Sequence, residues 1–372
     1  MKRLAIVSTH PIQYNAPLFR LLAQSPNAAI HVFYSKSEGE TRFDVEFKQD
    51  VIWDIPLTEG YPHSFVPCHR KPGQRKLCQS IKSFAPHAIL VFGWNPSGHL
   101  FCMRHFHGTI PIWFRGDSIV NSGLQGWKRR LRKAALNWVY HYVDHAFYVG
   151  TKNKDYFLWT GMKEQDLTLA PHAVDEDFFI RDDEARQKEA NAIRNELRIQ
   201  HSDTVLLFAG KLNQNKQPFE LAQAVNSLSG DINQRTHLIF VGSGPLESTL
   251  RATFDTHPHI HFAGFQNQSR MPTWYRVADI LCLVSTSETW GLAVNEALIC
   301  GCRVLASDSV GCVPDLVAGR EGSHTVPHDK PETWTNTIAA MVQNSHTKAD
   351  LPIPQLKSVA NPMLNQLFHE AS

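Results

Sequence analysis

At 372 residues the chain exceeds the size at which one hydrophobic core keeps growing, so two domains of ordinary size are expected. Hydrophobic residues at 42%, charged residues at 19%, 21 Gly and 21 Pro exclude a disordered or fibrous chain and fit a globular enzyme. A formal charge of only +2 excludes a global field for nucleic acid, and seven scattered cysteines without a C-x-x-C pair exclude a thiolate metal site and read as reduced thiols.

The N-terminus has a basic start but only a short apolar run before His10 and Pro11, too short for a signal peptide, so it reads as a first strand. No stretch reaches the roughly 20 apolar residues that span a bilayer, so a cytoplasmic chain with at most peripheral contact at the inner membrane face is expected. Short β-rich runs follow at 4–8, 30–34, 88–92, 110–114 and 145–149, alternating with helix-period segments. The second half repeats the rhythm at 205–209, 237–241, 259–263, 280–284 and 303–306. Apolar runs separated by helices imply buried parallel strands with crossover helices, hence an α/β chain of two doubly wound Rossmann-like domains facing a central cleft. The charged stretch 181–200 reads as an exposed helix or linker. The domains are expected at 1–178, for acceptor binding, and 179–372, for donor binding, with the last helix allowed to pack back on the N-terminal domain.

Ligands of open α/β sheets sit beyond the carboxyl ends of the strands, which directs attention to the loops. After 205–209 come Gly210, Lys211, Lys216 and Pro218: a glycine turn, two cations and a proline suited to open a helix. Backbone N–H groups and a helix N-terminus favour an anion there, and the lysines add charge; a solvated loop with ordinary lysines is the bland alternative. After 280–284, Glu288 falls in the turn and Glu296 lies in the helix that starts near Gly291. A carboxylate accepts two hydrogen bonds and so suits a vicinal diol, although such a pair on a helix often only meets solvent.

The order of these features is specific. Gly-Lys-Leu-x3-Lys from Gly210 to Lys216, Val241 to Pro245, Phe262 to Phe265, and Glu288 and Glu296 with seven residues between them follow in sequence, with Pro171 to Asp175 before them and Gly311 to Leu316 after. Over about residues 145 to 340 the chain resembles retaining glycosyltransferase family 4. The resemblance implies a GT-B fold, a nucleoside-diphosphate sugar held mainly by the C-terminal domain, and retention at the anomeric carbon. By the same resemblance Lys216 meets the pyrophosphate, with Lys211 where an arginine is more usual. Glu288 touches the donor sugar, Trp290, Gly291 and Leu292 supply neighbouring backbone, Glu296 takes the ribose, and Phe265 lies beside the base. Lysines and helix amides would stabilise the departing diphosphate without a metal or other cofactor, and the leaving phosphate itself would take the acceptor's proton.

Three other motifs have weaker readings. Asp175, Glu176 and Asp177 spell a D-x-D metal signature but stand at a helix start, where acids favour the dipole. Gly242 and Gly244 begin a dinucleotide fingerprint whose third glycine position is Glu247. The tripeptide Arg115, Gly116, Asp117 has no secretory context for adhesion.

In the N-terminal half the loop from Ser8 to Pro17 lacks the family's glycine pair, leaving His10 and Gln13 for polar contacts in the cleft. Arg115 and Asp117 stand where the family commonly has a histidine; Arg115 suits an anionic acceptor or phosphate, or else pairs with Asp117 to fix the loop. The basic segment 127–143, with Leu131, Ala134, Ala135, Trp138 and Tyr142 at helical spacing, reads either as an interfacial helix meeting anionic lipid or as an amphipathic helix packed on the sheet. The expectation is a glycosyltransferase acting on a glycan, lipid-linked or small-molecule acceptor, with no nucleic-acid partner. A silent GT-B scaffold subunit and a nucleotide-sugar epimerase are the rivals.

Overall fold

The computed structural model describes residues 1–37, 43–44, 49–50, 53–120, 125–344 and 352–369. The strands, in chain order, are β1 (Lys2–Ser8), β2 (Ala28–Tyr34), β3 (Phe43–Asp44), β4 (Gln49–Asp50), β5 (His63–Phe65), β6 (Ala88–Phe92), β7 (Ile112–Arg115), β8 (His145–Tyr148) and β9 (Leu167–Leu169). They continue with β10 (Thr204–Ala209), β11 (Thr236–Val241), β12 (Ile260–Gly264), β13 (Ile280–Leu283), β14 (Arg303–Ser307) and β15 (His324–Val326). The chain divides into two units, one of residues 1–42, 56–173 and 354–372, the other of 43–55 and 174–353.

In the first unit seven parallel strands run in the order β5-β2-β1-β6-β7-β8-β9. Leu4 to Val7 in β1 are all fully buried, as a strand covered on both faces must be. Alternate side chains feed two cores: Ala5 and Val7 join Leu77, Ile81 and Cys102, while Leu4 and Ile6 join Phe19, Leu22, Met363 and Leu367. The helix Leu356–His369 is therefore part of this unit, packed through Val359 and Met363 beside the helix Ala16–Ala23. The strand expected at 110–114 starts later, because Pro111 lacks an N–H and Ile112 is the residue whose N–H reaches Asp144 Oδ2, at 2.7 Å. Arg115 consequently closes the strand instead of following it.

In the second unit the order is β12-β11-β10-β13-β14-β15, with β10 paired in parallel to both β11 and β13. Leu206, Phe208, Leu238, Phe240 and Cys282 pack on one face with Leu221, Trp334 and Ile338. The unit's main segment begins at 174, slightly before the division read from the sequence at 178, and Phe179 just beyond is buried, its carbonyl accepting from Arg276 Nη2 at 2.8 Å. The charged stretch after it is the exposed helix of the two alternatives read from the sequence. It folds as the helix Asp183–Glu196, whose acids serve the helix Met271–Val277: Asp183 accepts from Arg276 at 2.7 Å, Glu189 accepts from Thr273 at 2.8 Å and pairs with Arg270.

Candidate active site

In the second unit β10 and β13 are adjacent, and β11 and β14 flank them, so the loops after these four strands meet at one end of the sheet. This is the point where strand order reverses and where doubly wound sheets bind ligands. The loop after β10 is zipped to the loop after β11: Gly210 N–H donates to Val241 O, and Leu212 N–H to Ser243 O, both at 2.9 Å. A Cβ on Gly242 would lie 1.9 Å from Gly210 O, and one on Gly244 would lie 2.6 Å from Leu212 O. Close backbone approach accounts for both glycines without a dinucleotide.

The same loop then turns toward β13. Asn213 Oδ1 accepts from Lys216 N–H at 3.2 Å, and the helix Pro218–Asn226 starts two residues beyond. Asn215 fastens the next loop, accepting from Thr286 N–H at 2.8 Å and donating to Ser287 O at 2.9 Å. Two loops held this way bring Lys216 Nζ onto Glu288 Oε2, and both side chains are about one-fifth exposed. Lys211 sits half-buried in the same loop. The resemblance put Lys216 and Glu288 at one ligand, and did not foresee that the two side chains pair with each other.

The loop after β14 supports Glu288 from the other side. Gly311 N–H donates to Glu288 O at 2.9 Å and Cys312 N–H to Trp290 O at 3.0 Å. A Cβ on Gly311 would fall 1.8 Å from Thr289 O. Trp290 is buried and its indole donates to Asn295 Oδ1 at 2.9 Å, so it holds the loop and the helix Leu292–Ile299 together. Gly291 has φ 97°, and a side chain there would meet Leu283 at 2.7 Å. Leu292 opens the helix that carries Glu296.

Glu296 is only 3% exposed. Its Oε2 accepts from Tyr275 OH at 2.6 Å and its Oε1 from Gln268 Nε2 at 3.2 Å. It is a buried carboxylate with a built setting, in contrast to the solvated glutamate that helix spacing alone would allow. Tyr275 and Gln268 were missed because the helix that brings them is far away in sequence and neither belongs to a motif. Phe265, half-buried, follows Gly264, whose φ is 67°.

Asp175 accepts from Phe178 N–H at 3.2 Å and caps the helix Glu176–Ile180, which accounts for the D-x-D. Among the described residues no group of three or more His, Cys, Asp or Glu is arranged to hold a metal.

In the first unit the Arg115 guanidinium is buried and donates to Ala170 O at 2.6 Å and Pro171 O at 3.4 Å. Burial pushes its pKa down to about 10, opposed by Asp117. His172 Nε2 stands 4.0 Å from Asp117, and burial, then Arg115, hold its pKa well below the usual histidine value. Of the two roles read for Arg115, these bonds fit the one that fixes the loop. His10 is separate from this group. It shares a 2.9 Å hydrogen bond with Thr9, burial and then Lys36 lower its pKa, and Gln13 is half-buried two residues beyond Pro11. Sequence reasoning also missed His99, fully buried between Gly93 O at 2.8 Å and Ser35 Oγ at 2.9 Å, since its helix segment carries no signal.

Residues 189–352 match the family described as Glycosyl transferases group 1. The D-inositol 3-phosphate glycosyltransferase 2 of Catenulispora acidiphila is 30% identical over 181 residues, covering 45% of this chain and 42% of that protein. The alignment thus spans less than half of that relative. Among solved structures, Anabaena HepE in complex with UDP and glucose superposes with a TM-score of 0.72 at 13% identity, over 99% of this chain and 100% of that one. Sucrose-phosphate synthase of Thermosynechococcus elongatus gives 0.68 at 16%, over 100% of both. The fold they share with this chain is GT-B, built of two Rossmann-like units.

Proposed function

We propose that this chain, whose residues 189–352 carry the group 1 glycosyltransferase domain, is a retaining, metal-independent glycosyltransferase that moves a sugar from a nucleoside-diphosphate sugar to a glycan, lipid-linked or small-molecule acceptor. The single observation that carries the reading is the convergence of Lys216 and Glu288 from adjacent strand ends, with Glu288 on the loop that leads into the helix carrying the buried carboxylate of Glu296. Lys216, Lys211 and the amides of the loop after β10 offer positive charge to a departing diphosphate. Donor binding on this reading takes Lys216 from Glu288 to the phosphates and frees Glu288 for the sugar, with Glu296 holding the ribose. The named ligands of HepE, UDP and glucose, make a UDP-sugar the first donor to try.

Transfer is favoured over the epimerase and scaffold readings because the matched family consists of transferases. Seven cysteines, none in a disulfide, support a reducing compartment, and among the described residues no helix is long and apolar enough to cross a membrane. On this proposal the protein is cytoplasmic, with peripheral membrane contact, and has no nucleic-acid partner in view of a formal charge of only +2.

A thermal-shift panel with UDP, GDP, ADP, TDP and NAD, without added metal, tests the donor site on wild type and on Glu296→Ala. Ligand at 100 times its dissociation constant adds about 2.7 kcal/mol, a visible rise in melting temperature. The expected result is a rise with one nucleoside diphosphate that the variant loses; no rise with any diphosphate, or a rise with NAD alone, overturns the reading. Turnover of the matching nucleotide sugar in EDTA, followed by product analysis, then separates transfer from epimerisation and from silence.

A further inference from the structure

The basic segment 127–143 folds as the helix Gly126–Tyr140, and its apolar residues point in two opposite directions. Leu136, Val139 and Tyr140 are buried in the first unit's core. Trp127, Leu131, Ala134 and Trp138, spaced by four, three and four residues, form one stripe on a helix of 3.6 residues per turn, roughly opposite the buried face. That stripe is the outward one: Trp127 is 69% exposed, Leu131 63% and Trp138 47%. The apolar spacing visible in the sequence therefore marks mostly the solvent side, while the helix also packs on the core through Leu136, Val139 and Tyr140, as the amphipathic reading expected. Leaving two tryptophans and a leucine in water along one ridge forgoes several kcal/mol of burial unless something covers them.

Charge identifies the cover. Between Gly126 and Tyr140 the sequence has five cations, Lys128, Arg129, Arg130, Arg132 and Lys133, and no carboxylate. Lys128 and Arg130 flank the apolar stripe, and all five are exposed. Tryptophan, with an apolar ring and a polar N–H, suits the boundary between headgroups and acyl chains, and flanking cations suit anionic headgroups. A second copy of the same helix would set like charges together, which disfavours self-association through this ridge.

We propose that the helix Gly126–Tyr140 is a membrane-docking element that lies in the interface of an anionic bilayer, with Trp127, Leu131 and Trp138 entering the headgroup boundary and Lys128 and Arg130 meeting lipid phosphates. It deepens the peripheral-contact part of the functional reading and stands without the transfer part. The surface is rigid, because the buried face holds the helix to the sheet, and it brings the first unit to lipid without any spanning segment.

Co-sedimentation of the full chain with vesicles of phosphatidylcholine alone, and of phosphatidylcholine with phosphatidylglycerol, tests the proposal. Binding is expected to the anionic vesicles only and to weaken as salt shortens the Debye length. Lys128→Gln with Arg130→Gln should lower the partition coefficient by roughly fivefold per removed charge. Trp127→Ala with Trp138→Ala should abolish it. Trp127, Lys128 and Arg130 are exposed and Trp138 touches Tyr142 and Arg104 at the surface, so the melting temperature should fall slightly at most and the nucleotide-induced rise should stay that of wild type, and failure here and failure of the donor site are told apart. Three outcomes overturn the proposal: no binding to either vesicle, vesicle binding that survives the double tryptophan variant, or a dimer in sedimentation equilibrium that the tryptophan variant dissociates.

Discussion

Under the candidate site of the second unit, backbone lies against backbone: Gly242 lets the loops after β10 and β11 close to a distance no Cβ allows, and Gly311 does the same between the loops after β13 and β14. In the first unit, whose sheet has the same reversal of strand order beside β1, a side chain spans the gap, with Arg115 reaching from the end of β7 to the carbonyls of Ala170 and Pro171. Both arrangements immobilise loops at the carboxyl ends of strands. Only the first leaves a sequence signature with one meaning, since a glycine required by contact cannot be exchanged, whereas an arginine after a strand reads equally as ligand or as strut.

The strongest way to break this comparison is to remove charge from each side. Lys216→Met and Glu288→Ala are each expected to lower turnover of the nucleotide sugar by roughly 10²–10³, the scale of losing one preorganised electrostatic contact to a transition state. Arg115→Met should instead lower the melting temperature and leave turnover per folded molecule within a few-fold of wild type. Equal loss of turnover from Arg115→Met, with no loss of stability, would move the chemistry toward the first unit and end the assignment of Arg115 as a strut.

The contrast in backbone contact is sharpened by alanine. Gly311→Ala forces a Cβ to within 1.8 Å of Thr289 O, so overpacking should cost about 2–3 kcal/mol and loosen the Glu288 loop. Gly93→Ala, in the loop after β6, meets nothing within 4 Å and bears only its φ of 74°, a cost of about 1 kcal/mol. Melting temperatures rank the two, and the reverse ranking would mean that the Glu288 loop can shift freely.

Ten strands were legible in the sequence because parallel strands buried on both faces are continuous apolar runs, as in Leu4 to Val7. The edge strands His63–Phe65, Leu167–Leu169 and His324–Val326 were not, since three half-covered residues carry no period. At the site, Gly210, Lys216, Glu288 and Glu296 were legible as a motif in order. Their partners were not: Asn215, Tyr275 and Gln268 act through contacts 72, 21 and 28 residues distant in sequence. The buried guanidinium of Arg115 depends on carbonyls 55 and 56 residues away, which no local pattern encodes.

Acid should test how the second unit's sheet is held. His237 is buried, in contact with His261 at 3.1 Å, and its pKa is pushed down to about 4 by burial and then by His259 and His261, with Asp203 opposing. Its folded pKa lies below the ordinary 6.5, so the unfolded chain binds the extra proton first. Stability is therefore full above pH 6.5 and falls as pH drops toward about 4. The melting temperature should decline across that window, and His237→Phe, which cannot titrate, should flatten the decline. An unchanged slope in the variant would show that other groups, such as His172 in the first unit, carry the acid sensitivity.

The smallest expected effect tests whether the second unit's advantage extends to its deepest residue. At Glu296, Tyr275 bonds one carboxylate oxygen and Gln268 the other, which fixes how the carboxylate is turned. Tyr275→Phe removes one hydroxyl from a buried setting and leaves the ring in place. The loss of a hydrogen bond to a charged group, about 1.5 kcal/mol, should weaken nucleoside-diphosphate binding by roughly tenfold, raise the donor KM and leave kcat nearly unchanged. Discrimination against the 2′-deoxy nucleotide should narrow at the same time, because a carboxylate free to rotate no longer presents both oxygens to the diol. If affinity falls while that discrimination stays intact, Tyr275 supports the fold around Glu296 and the orientation of the carboxylate comes from Gln268 and the helix alone.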